Sequence, residues 1–276
     1  MLSATPSHVI EKLSEASLLT VYKQVTEGRM ATTALVEVQW NDGTQTRAYL
    51  KAFSNALGLG VLNEITGYVL AKSLALPLPT HAGILPIPPN LLKNQEGYYP
   101  YAFVCSELEG GTPNSIYQIP DQACAHHFAP VIKLIQNWPF LPLCFNFDDW
   151  TATTDRHLGN VLLSHTGELS LIDHSNLPIS PQWQAADLDE NKDYDNKLLE
   201  IIGFTDKTAL PNKSTLLLAA KGHTVAHKQA ESELSFWWDL FLSNDNDRHS
   251  ALSHFIRHRA SSRHPLWCTK LNQLGV

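Results

Sequence analysis

Asp155, Asn160 and Asp173 are oxygen-bearing side chains whose spacing suits phosphoryl transfer from ATP. Asn160 lies five residues after Asp155, and Asp173 lies thirteen residues after Asn160. The reaction needs one group to orient the attacking hydroxyl and two groups to hold Mg²⁺ on the phosphates. Asp and Asn supply the hard oxygen ligands that Mg²⁺ prefers over nitrogen or sulfur. These three residues are therefore a candidate site for this chemistry.

A β-hairpin is predicted between Asn160 and Asp173. Residues 161–163 and 169–172 are short apolar runs on either side of a glycine-containing turn. A hairpin there would return Asp173 to within reach of Asn160. The alternative is a chance coincidence of residue types. The tripeptide Asp-Arg-His occurs again at 247–249 without the following Asn or hairpin, so we interpret that copy as part of a surface loop.

An ATP site also needs a cation for the phosphates, and the N-terminal third offers Lys51 together with Glu64. Lys51 ends a predicted strand, so its side chain can face a cleft while its neighbours face elsewhere. Glu64 lies near the start of the next predicted helix, from which it can pair with the lysine. The alternative is an ordinary lysine at a strand edge and a solvated glutamate on a helix.

The turn that runs from Gly28 to Thr33 lies between two predicted strands, where a loop covering the phosphates is expected. Backbone N–H groups in such small-residue turns can bind anions. Thr32 and Thr33 are either phosphate ligands, with autophosphorylation as a further hypothesis, or plain strand residues. The chain contains no GxxxxGK[ST] motif, which disfavours a P-loop ATPase.

The composition is that of an ordinary globular protein: 276 residues, 43% hydrophobic and 17% charged. This length suffices for one large domain or two lobes with a shared cleft. The net charge of −7 argues against non-specific binding to nucleic acid or anionic membranes. The four cysteines are far apart, no apolar run approaches a membrane span, and the N-terminus lacks a signal-peptide pattern. We therefore expect a cytoplasmic location.

Predicted strands come early in the chain and predicted helices come late, which indicates an α+β fold. Hydrophobic patterns predict strands over 20–25, 35–40, 47–53, 81–87 and 98–106. They predict helices over 7–13, 61–74, 121–138, 196–202, 214–221, 226–242 and 250–259. Residues 139–155 read as mixed structure, and 107–113 as a hinge. The C-terminal arginines, among them Arg259 and Arg263, are expected on a solvated helix face.

Together these residues resemble the HipA-like kinases, a branch of the protein-kinase-like superfamily. The similarity runs from about residue 27 to Asp173. The Asp-Arg-His-x-x-Asn element is also similar to that of phosphatidylinositol kinases. The matching pieces are Gly28-Arg29, Tyr49-Leu50-Lys51, the helix from Asn63-Glu64 to the prolines Pro77 and Pro79, Asp149-Trp150, the segment from Asp155 to Asn160, and Ile172-Asp173-His174.

The resemblance implies a two-lobed protein-kinase-like fold. Residues 1–106 would form an N-lobe with an antiparallel sheet and one main helix, residues 107–113 the hinge, and residues 114–276 a mostly helical C-lobe.

The resemblance also implies a role for each site residue. Lys51 would contact the α- and β-phosphates, and Glu64 would orient Lys51. Asp155 would accept the hydroxyl proton, while Asn160 and Asp173 would bind Mg²⁺. His157 would brace the catalytic loop, and the hinge at Glu107 and Leu108 would receive adenine.

The predicted function is ATP- and Mg²⁺-dependent transfer of the γ-phosphate to a hydroxyl, with Ser or Thr of a protein as the acceptor. HipA kinases, which this chain resembles, are toxins that act on translation components and pair with small DNA-binding antitoxins. The resemblance therefore also implies an antitoxin-like partner. His174 and Ser175 replace the Phe and Gly of an Asp-Phe-Gly switch, which argues against that switch. Two alternatives stay open: a pseudokinase that binds nucleotide or acts as a scaffold, and a small-molecule or lipid kinase.

Overall fold

The computed structural model describes residues 8–25, 30–87, 91, 97–119, 129–202 and 213–273. Strands come first and helices later, so the predicted α+β layout is confirmed. The strands are β1 (Ile10–Lys12), β2 (Leu18–Val25), β3 (Thr32–Gln39), β4 (Gln45–Ala52), β5 (Ala82–Pro86), β6 (Tyr101–Ser106), β7 (Val161–Leu163) and β8 (Leu169–Leu171). The helices are α1 (Leu59–Ser73), α2 (Pro113–Ile116), α3 (Ala129–Gln136), α4 (Leu141–Thr151), α5 (Lys197–Ile201), α6 (Lys213–Lys221), α7 (His223–Phe241) and α8 (Asn246–Gln273).

The main sheet has six strands in the order β1-β5-β6-β4-β3-β2. Its pairings are antiparallel except that β1 runs parallel to β5, with Ile10 opposite Ala82. The helix predicted over 7–13 is therefore wrong within the described residues. Ile10 is fully buried beside the sheet, and Glu11 accepts a hydrogen bond from the backbone N–H of Asn41 at 2.7 Å. Pairing with a strand more than seventy residues away outweighs the local helical spacing.

Strands β3 and β4 form the hairpin that Asn41-Asp42-Gly43 predicts. Gly43 has a φ of +87°, a conformation that residues with a side chain rarely adopt. Val36 and Val38 are fully buried on one face of β3, and this burial fixes the register. The register places Thr33 opposite Lys51, near the end of β4.

Helix α1 crosses the sheet and is buried along nearly its whole length, from Gly60 to Ala71. The helix contacts both β6 and α7, so most of its buried residues are apolar, and Asn63, Glu64 and Thr66 are the buried polar exceptions. Trp238 of α7 donates its indole N–H to the Thr66 hydroxyl at 3.0 Å. These contacts hold the helix that carries Glu64 at a fixed position against the sheet.

Residues 141–151 form a regular helix, α4, so the mixed structure predicted for 139–155 is wrong there. Pro142 lies in the first turn, where the missing N–H costs nothing. Phe147 and Trp150 are fully buried. Their burial between helices outweighs the weak helix propensity of an aromatic-rich segment.

Helix α8 is far longer than the helix predicted over 250–259. Two further predictions about this region, a surface loop at 247–249 and solvated arginines, are also wrong. The tripeptide at 247–249 lies in the first turns of α8 and not in a loop. Arg259 and Arg263 are buried, not solvated. Arg259 donates to the carbonyls of Trp150 and Lys192 at 2.9 and 2.8 Å, and Arg263 forms bonds of 2.6 and 2.7 Å to the buried carboxylate of Asp149. The predicted helix over 121–138 is described only from residue 129 and ends at Gln136.

The apolar core consists of two clusters on opposite faces of the sheet. The larger one joins α1 and the sheet to the later helices, and includes Ile65, Phe103 and Trp150. The smaller one, which includes Val36 and Val104, covers the other face. Among the helices that the structure describes, none combines the length and apolar character that crossing a bilayer requires.

Candidate active site

Two carboxylates from other parts of the chain, those of Glu64 and Asp173, meet the ammonium group of Lys51. The Lys51 Nζ lies 2.5 Å from Glu64 Oε1 and 3.3 Å from Asp173 Oδ1. Lys51 comes from β4, Glu64 from α1, and Asp173 follows β8. The Lys51 and Glu64 side chains are nearly enclosed, whereas that of Asp173 is 37% exposed. The arrangement leaves one carboxylate at the edge of the cluster, facing solvent.

Glu64 also binds the segment that follows Asp173. Its second oxygen, Oε2, accepts the backbone N–H of His174 at 3.0 Å. The preceding residue, Asn63, donates to the carbonyl of Ser175 at 2.8 Å and accepts the indole N–H of Trp183 at 3.1 Å. A buried carboxylate without such partners would be strongly destabilising. The first turns of α1 therefore hold the backbone beyond Asp173 in place.

The charges of the cluster shift one another's pKa values. Burial works against the charge of Lys51, but Asp173 and Glu64 outweigh it and raise the pKa of the lysine. Burial raises the pKa of the Glu64 carboxyl to about 7, in spite of the lysine. Burial would also raise the pKa of Asp173, but Lys51 and two bonds from Ser175 hold it below its usual range. Lys51 is thus cationic and Asp173 anionic at neutral pH.

The predicted hairpin is confirmed and brings Asp173 back to the loop of Asp155 and Asn160. Strands β7 and β8 pair with Val161 opposite Leu171. The N–H of the next residue, Ile172, donates to the carbonyl of Asn160 at 3.1 Å. Asp173 itself has a φ of +62°, in the left-handed region that Asp enters when its side chain bonds the local backbone.

Arg156 ties this loop together, and sequence reasoning missed it. Its guanidinium is fully buried and bonds Asp148 of α4 at 3.0–3.2 Å. Its third nitrogen, Nη1, donates to the carbonyls of Ile172 and Asp173 at 3.2 and 3.3 Å. Arg156 therefore joins α4, the Asp155 loop and the segment that carries Asp173. A signal was available, because a charged residue between apolar elements usually has a buried partner.

The side chains of the loop are positioned by short-range bonds. Asn160 donates its amide N–H to the carbonyl of Asp155 at 2.8 Å, a bond that does not use the amide oxygen. His157 accepts the backbone N–H of Gly159 on Nδ1 at 2.9 Å, so the ring proton lies on Nε2. Burial lowers the pKa of His157. The ring is therefore neutral at physiological pH.

The carboxylate of Asp155 has two further partners that the motif does not contain. Lys197 Nζ lies 2.6 Å from Oδ1, and Asn176 donates its amide N–H to Oδ2 at 3.2 Å. Both partners lie far along the chain, on the segment after Asp173. No spacing rule links them to Asp155, so sequence reasoning could not find them.

The remaining predicted residues lie at the margin of the site or beyond it. Gly28 lies outside the described residues. Thr32 and Thr33 open β3 and do not belong to a turn, because they pair with the end of β4. Thr32 also shares a hydrogen bond of 2.8 Å with the hydroxyl of Tyr98.

The segment predicted as the hinge, 107–113, connects β6 to α2. Glu107 donates its N–H to the carbonyl of Arg47 at 2.8 Å, and its carboxylate pairs with the Arg47 guanidinium at 2.8 Å. Leu108 is half-buried. The N–H of Glu107 thus continues the β4–β6 ladder and is not available to a ligand.

The donor set fits a Mg²⁺ ion bound jointly with phosphate. Among the residues that the structure describes, no three His, Cys, Asp or Glu side chains gather into a metal site of their own. Mg²⁺ differs from zinc in this respect, because it is usually held by one or two protein oxygens while phosphates and water complete its shell. Asn160 and Asp173, linked through Ile172, would be the two protein ligands.

Comparison with known proteins places the fold. No family model and no curated protein matches the sequence. Among solved structures, the chain is similar to the crystal structure of the Helicobacter pylori proinflammatory kinase CtkA, with a TM-score of 0.58 and 13% sequence identity. The match covers 96% of this chain and 100% of that one. At this identity the similarity shows the fold alone: the protein has a kinase-like α+β fold. Membership of the HipA-like family stays a prediction.

Proposed function

We propose that this protein is an ATP- and Mg²⁺-dependent phosphotransferase that moves the γ-phosphate to a hydroxyl, with Ser or Thr of a protein as the acceptor. One observation carries the proposal: Lys51, Glu64 and Asp173 converge from three separate elements into one ion-paired cluster. Arg156 connects this cluster to the loop of Asp155. The kinase-like fold supports the same chemistry.

Each residue has a role that follows from its position. Lys51, kept cationic by its two carboxylates, would bind the α- and β-phosphates of ATP. Asn160 and Asp173 would hold Mg²⁺, which supplies positive charge against the oxygens of the transferred phosphoryl group. Asp155 would orient the acceptor hydroxyl and take its proton as the new O–P bond forms and ADP leaves.

The proposal extends to the layout of the molecule. The site would lie in a cleft between an N-lobe of residues 1–106 and a C-lobe of residues 114–276. The hinge at 107–113 would receive adenine through the backbone of Glu107 and Leu108. Glu107 would offer its carbonyl oxygen, because its N–H is already bonded to Arg47. A toxin-like role with an antitoxin-like partner rests on the HipA-like resemblance alone and stays a prediction.

The decisive experiment compares three aspartate variants with the unaltered chain. Each protein is incubated with γ-labelled ATP, Mg²⁺ and a cell lysate, and label is counted in the protein and metabolite fractions. We expect Asp155→Ala to lower transfer by about 10²- to 10⁴-fold, the range typical of a lost general base. Asp173→Ala should lower transfer strongly as well, because it removes a proposed Mg²⁺ ligand. Asp247→Ala, at the exposed first residue of the second Asp-Arg-His tripeptide, is the matched control and keeps full transfer.

The outcomes separate the rival functions. Equal label with the unaltered chain and both site variants would contradict the proposal, and nucleotide binding without transfer would indicate a pseudokinase. Label in a metabolite but not in protein would retain the phosphotransferase and replace the protein acceptor with a small molecule or lipid. Labelled Thr32 or Thr33 in the protein itself would support autophosphorylation.

A further inference from the structure

The carboxylate of Asp155 is held from outside its own motif. Lys197 Nζ lies 2.6 Å from Oδ1, and Asn176 donates to Oδ2 at 3.2 Å. The side chains of Lys197 and Asp155 are 37% and 35% exposed. An ion pair this open to solvent contributes little to folding stability, because water screens the attraction. Folding stability alone therefore does not account for such a short contact.

Lys197 is placed firmly enough to act on Asp155. It begins α5, whose N-terminus is capped by Asn196 through a 3.1 Å bond from the N–H of Leu199. Leu198 and Ile201 of the same helix are buried in the core. The backbone of Lys197 is thus anchored on both sides, and its side chain extends to the Asp155 loop.

No other cation takes this position among the residues that the structure describes. His157 lies nearest, with Nε2 at 3.8 Å from Asp155 Oδ2, too far for a hydrogen bond. Its Nδ1 accepts the N–H of Gly159, so the ring carries one proton and no charge. Arg156 points away into the buried bonds with Asp148. The positive charge beside Asp155 comes from Lys197.

We propose that Lys197 is a positioning residue for phosphoryl transfer, an inference that rests on the proposed function. In that step the acceptor O–H bond breaks and its proton passes to the Asp155 carboxylate. The acceptor oxygen bonds to the γ-phosphorus while the bond to the β-phosphate oxygen breaks, and ADP leaves. Lys197 keeps its own proton throughout.

The geometry leaves room for the acceptor. A carboxylate offers about four lone-pair sites, so bonds from Lys197 and Asn176 still allow Asp155 to accept a hydroxyl proton. Lys197 fixes the carboxylate in one orientation and keeps a positive charge next to the transferred group. Preorganised charges of this kind stabilise a transition state because they need no rearrangement during the reaction.

The test uses the full chain with Lys197→Ala and Lys197→Arg, and with Lys228→Ala as the matched control on an exposed face of α7. The probe is Mg-ATP with water as the acceptor, followed as release of inorganic phosphate, alongside label on the protein itself. Titration with a fluorescent ATP analogue gives the nucleotide Kd, and thermal melting reports folding. We expect Lys197→Ala to lower kcat about 10- to 100-fold with Kd and melting unchanged. Lys197→Arg keeps most of the activity because it preserves the charge.

Each other result overturns the inference in its own way. Unchanged turnover in Lys197→Ala would show that the lysine is dispensable, and increased turnover would show that it restrains Asp155. A parallel loss of nucleotide binding or of melting temperature, with no rescue by arginine, would show a structural role. In all three cases the proposed function stands. Turnover by the unaltered chain no higher than that of Asp155→Ala would overturn the proposed function and the inference together.

Discussion

The chain contains the tripeptide Asp-Arg-His twice, and the two copies lie in opposite surroundings. In the first, Arg156 is fully buried against Asp148, and Asp155 is bonded by Lys197. In the second, Asp247 is exposed in the first turn of α8. Arg248 there is half-buried and pairs with a carboxylate three residues before it. Identical side chains thus become a candidate site where charged residues from other elements hold them: the buried Asp148 and the half-exposed Lys197.

The largest expected difference between the two copies is in stability. Arg156→Ala leaves the buried carboxylate of Asp148 without an opposite charge, with only the Cys144 thiol to donate to it, which costs about 3–5 kcal/mol. Arg248→Ala removes a partly exposed pair worth about 0–1 kcal/mol and a hydrogen bond to the Trp183 carbonyl worth about 1 kcal/mol, which is together the smaller loss. Urea denaturation of both variants measures the two free energies of unfolding. Equal small losses would show that the buried pair does not organise the first copy.

The Arg156→Ala defect has a pH dependence of predictable sign. Burial already raises the pKa of Asp148, and without the arginine only the hydrogen bond from the Cys144 thiol still opposes that rise. A carboxyl with a raised native pKa binds its proton more tightly when folded, so the variant recovers stability as the pH falls and Asp148 becomes protonated. A defect that grows on acidification would contradict this assignment.

Glu64, in the charged cluster beside the first copy, gives a second pH dependence of stability, of intermediate size. Its pKa of about 7 in the folded protein exceeds the unfolded value of 4.5. The stability it contributes is therefore fully present below pH 4.5 and is lost as the pH rises through 7. Glu64→Gln should remove about 2–3 kcal/mol of this variation. Denaturation midpoints across pH 4.5–8 measure it, and an unchanged slope in the variant would refute the pKa shift.

The smallest expected effect concerns the hydrogen bond between the Gly159 N–H and the His157 ring, next to the first copy. A Cβ added at Gly159 would lie 2.8 Å from His157 Cε1, so Gly159→Ala must displace the ring that accepts the Gly159 N–H. We expect a loss of about 1 kcal/mol, the low end for overpacking, because this site is half-exposed. We expect the rate of phosphate transfer to fall by more than this small loss of stability would cause. Wild-type transfer in this variant would show that the ring position is unimportant.

Local spacing explains which parts of the site could be predicted. Asp155, Asn160 and Asp173 lie within one loop and one hairpin, and Lys51 and Glu64 lie on consecutive elements. Such pairs are linked by strand alternation and turn geometry, which a sequence displays directly. The β3–β4 hairpin was predictable for the same reason.

The parts that could not be predicted depend on contacts between distant segments. Lys197 and Asn176 reach Asp155 from outside its loop, and the buried Arg263 pairs with carboxylates from two distant segments, Asp149 and Asp193. The parallel pairing of β1 with β5 is likewise non-local. Helix α4 was missed because its proline and aromatic residues are poor helix formers until tertiary packing buries them.

A structure of the protein with a non-hydrolysable ATP analogue and Mg²⁺ tests the central claim most directly. The account predicts a Mg²⁺ ion about 2.1 Å from the Asn160 amide oxygen and a carboxylate oxygen of Asp173. It also predicts Lys51 Nζ on the α- and β-phosphates and the γ-phosphate facing Asp155. A nucleotide bound elsewhere, or an ion that neither Asn160 nor Asp173 contacts, would contradict it.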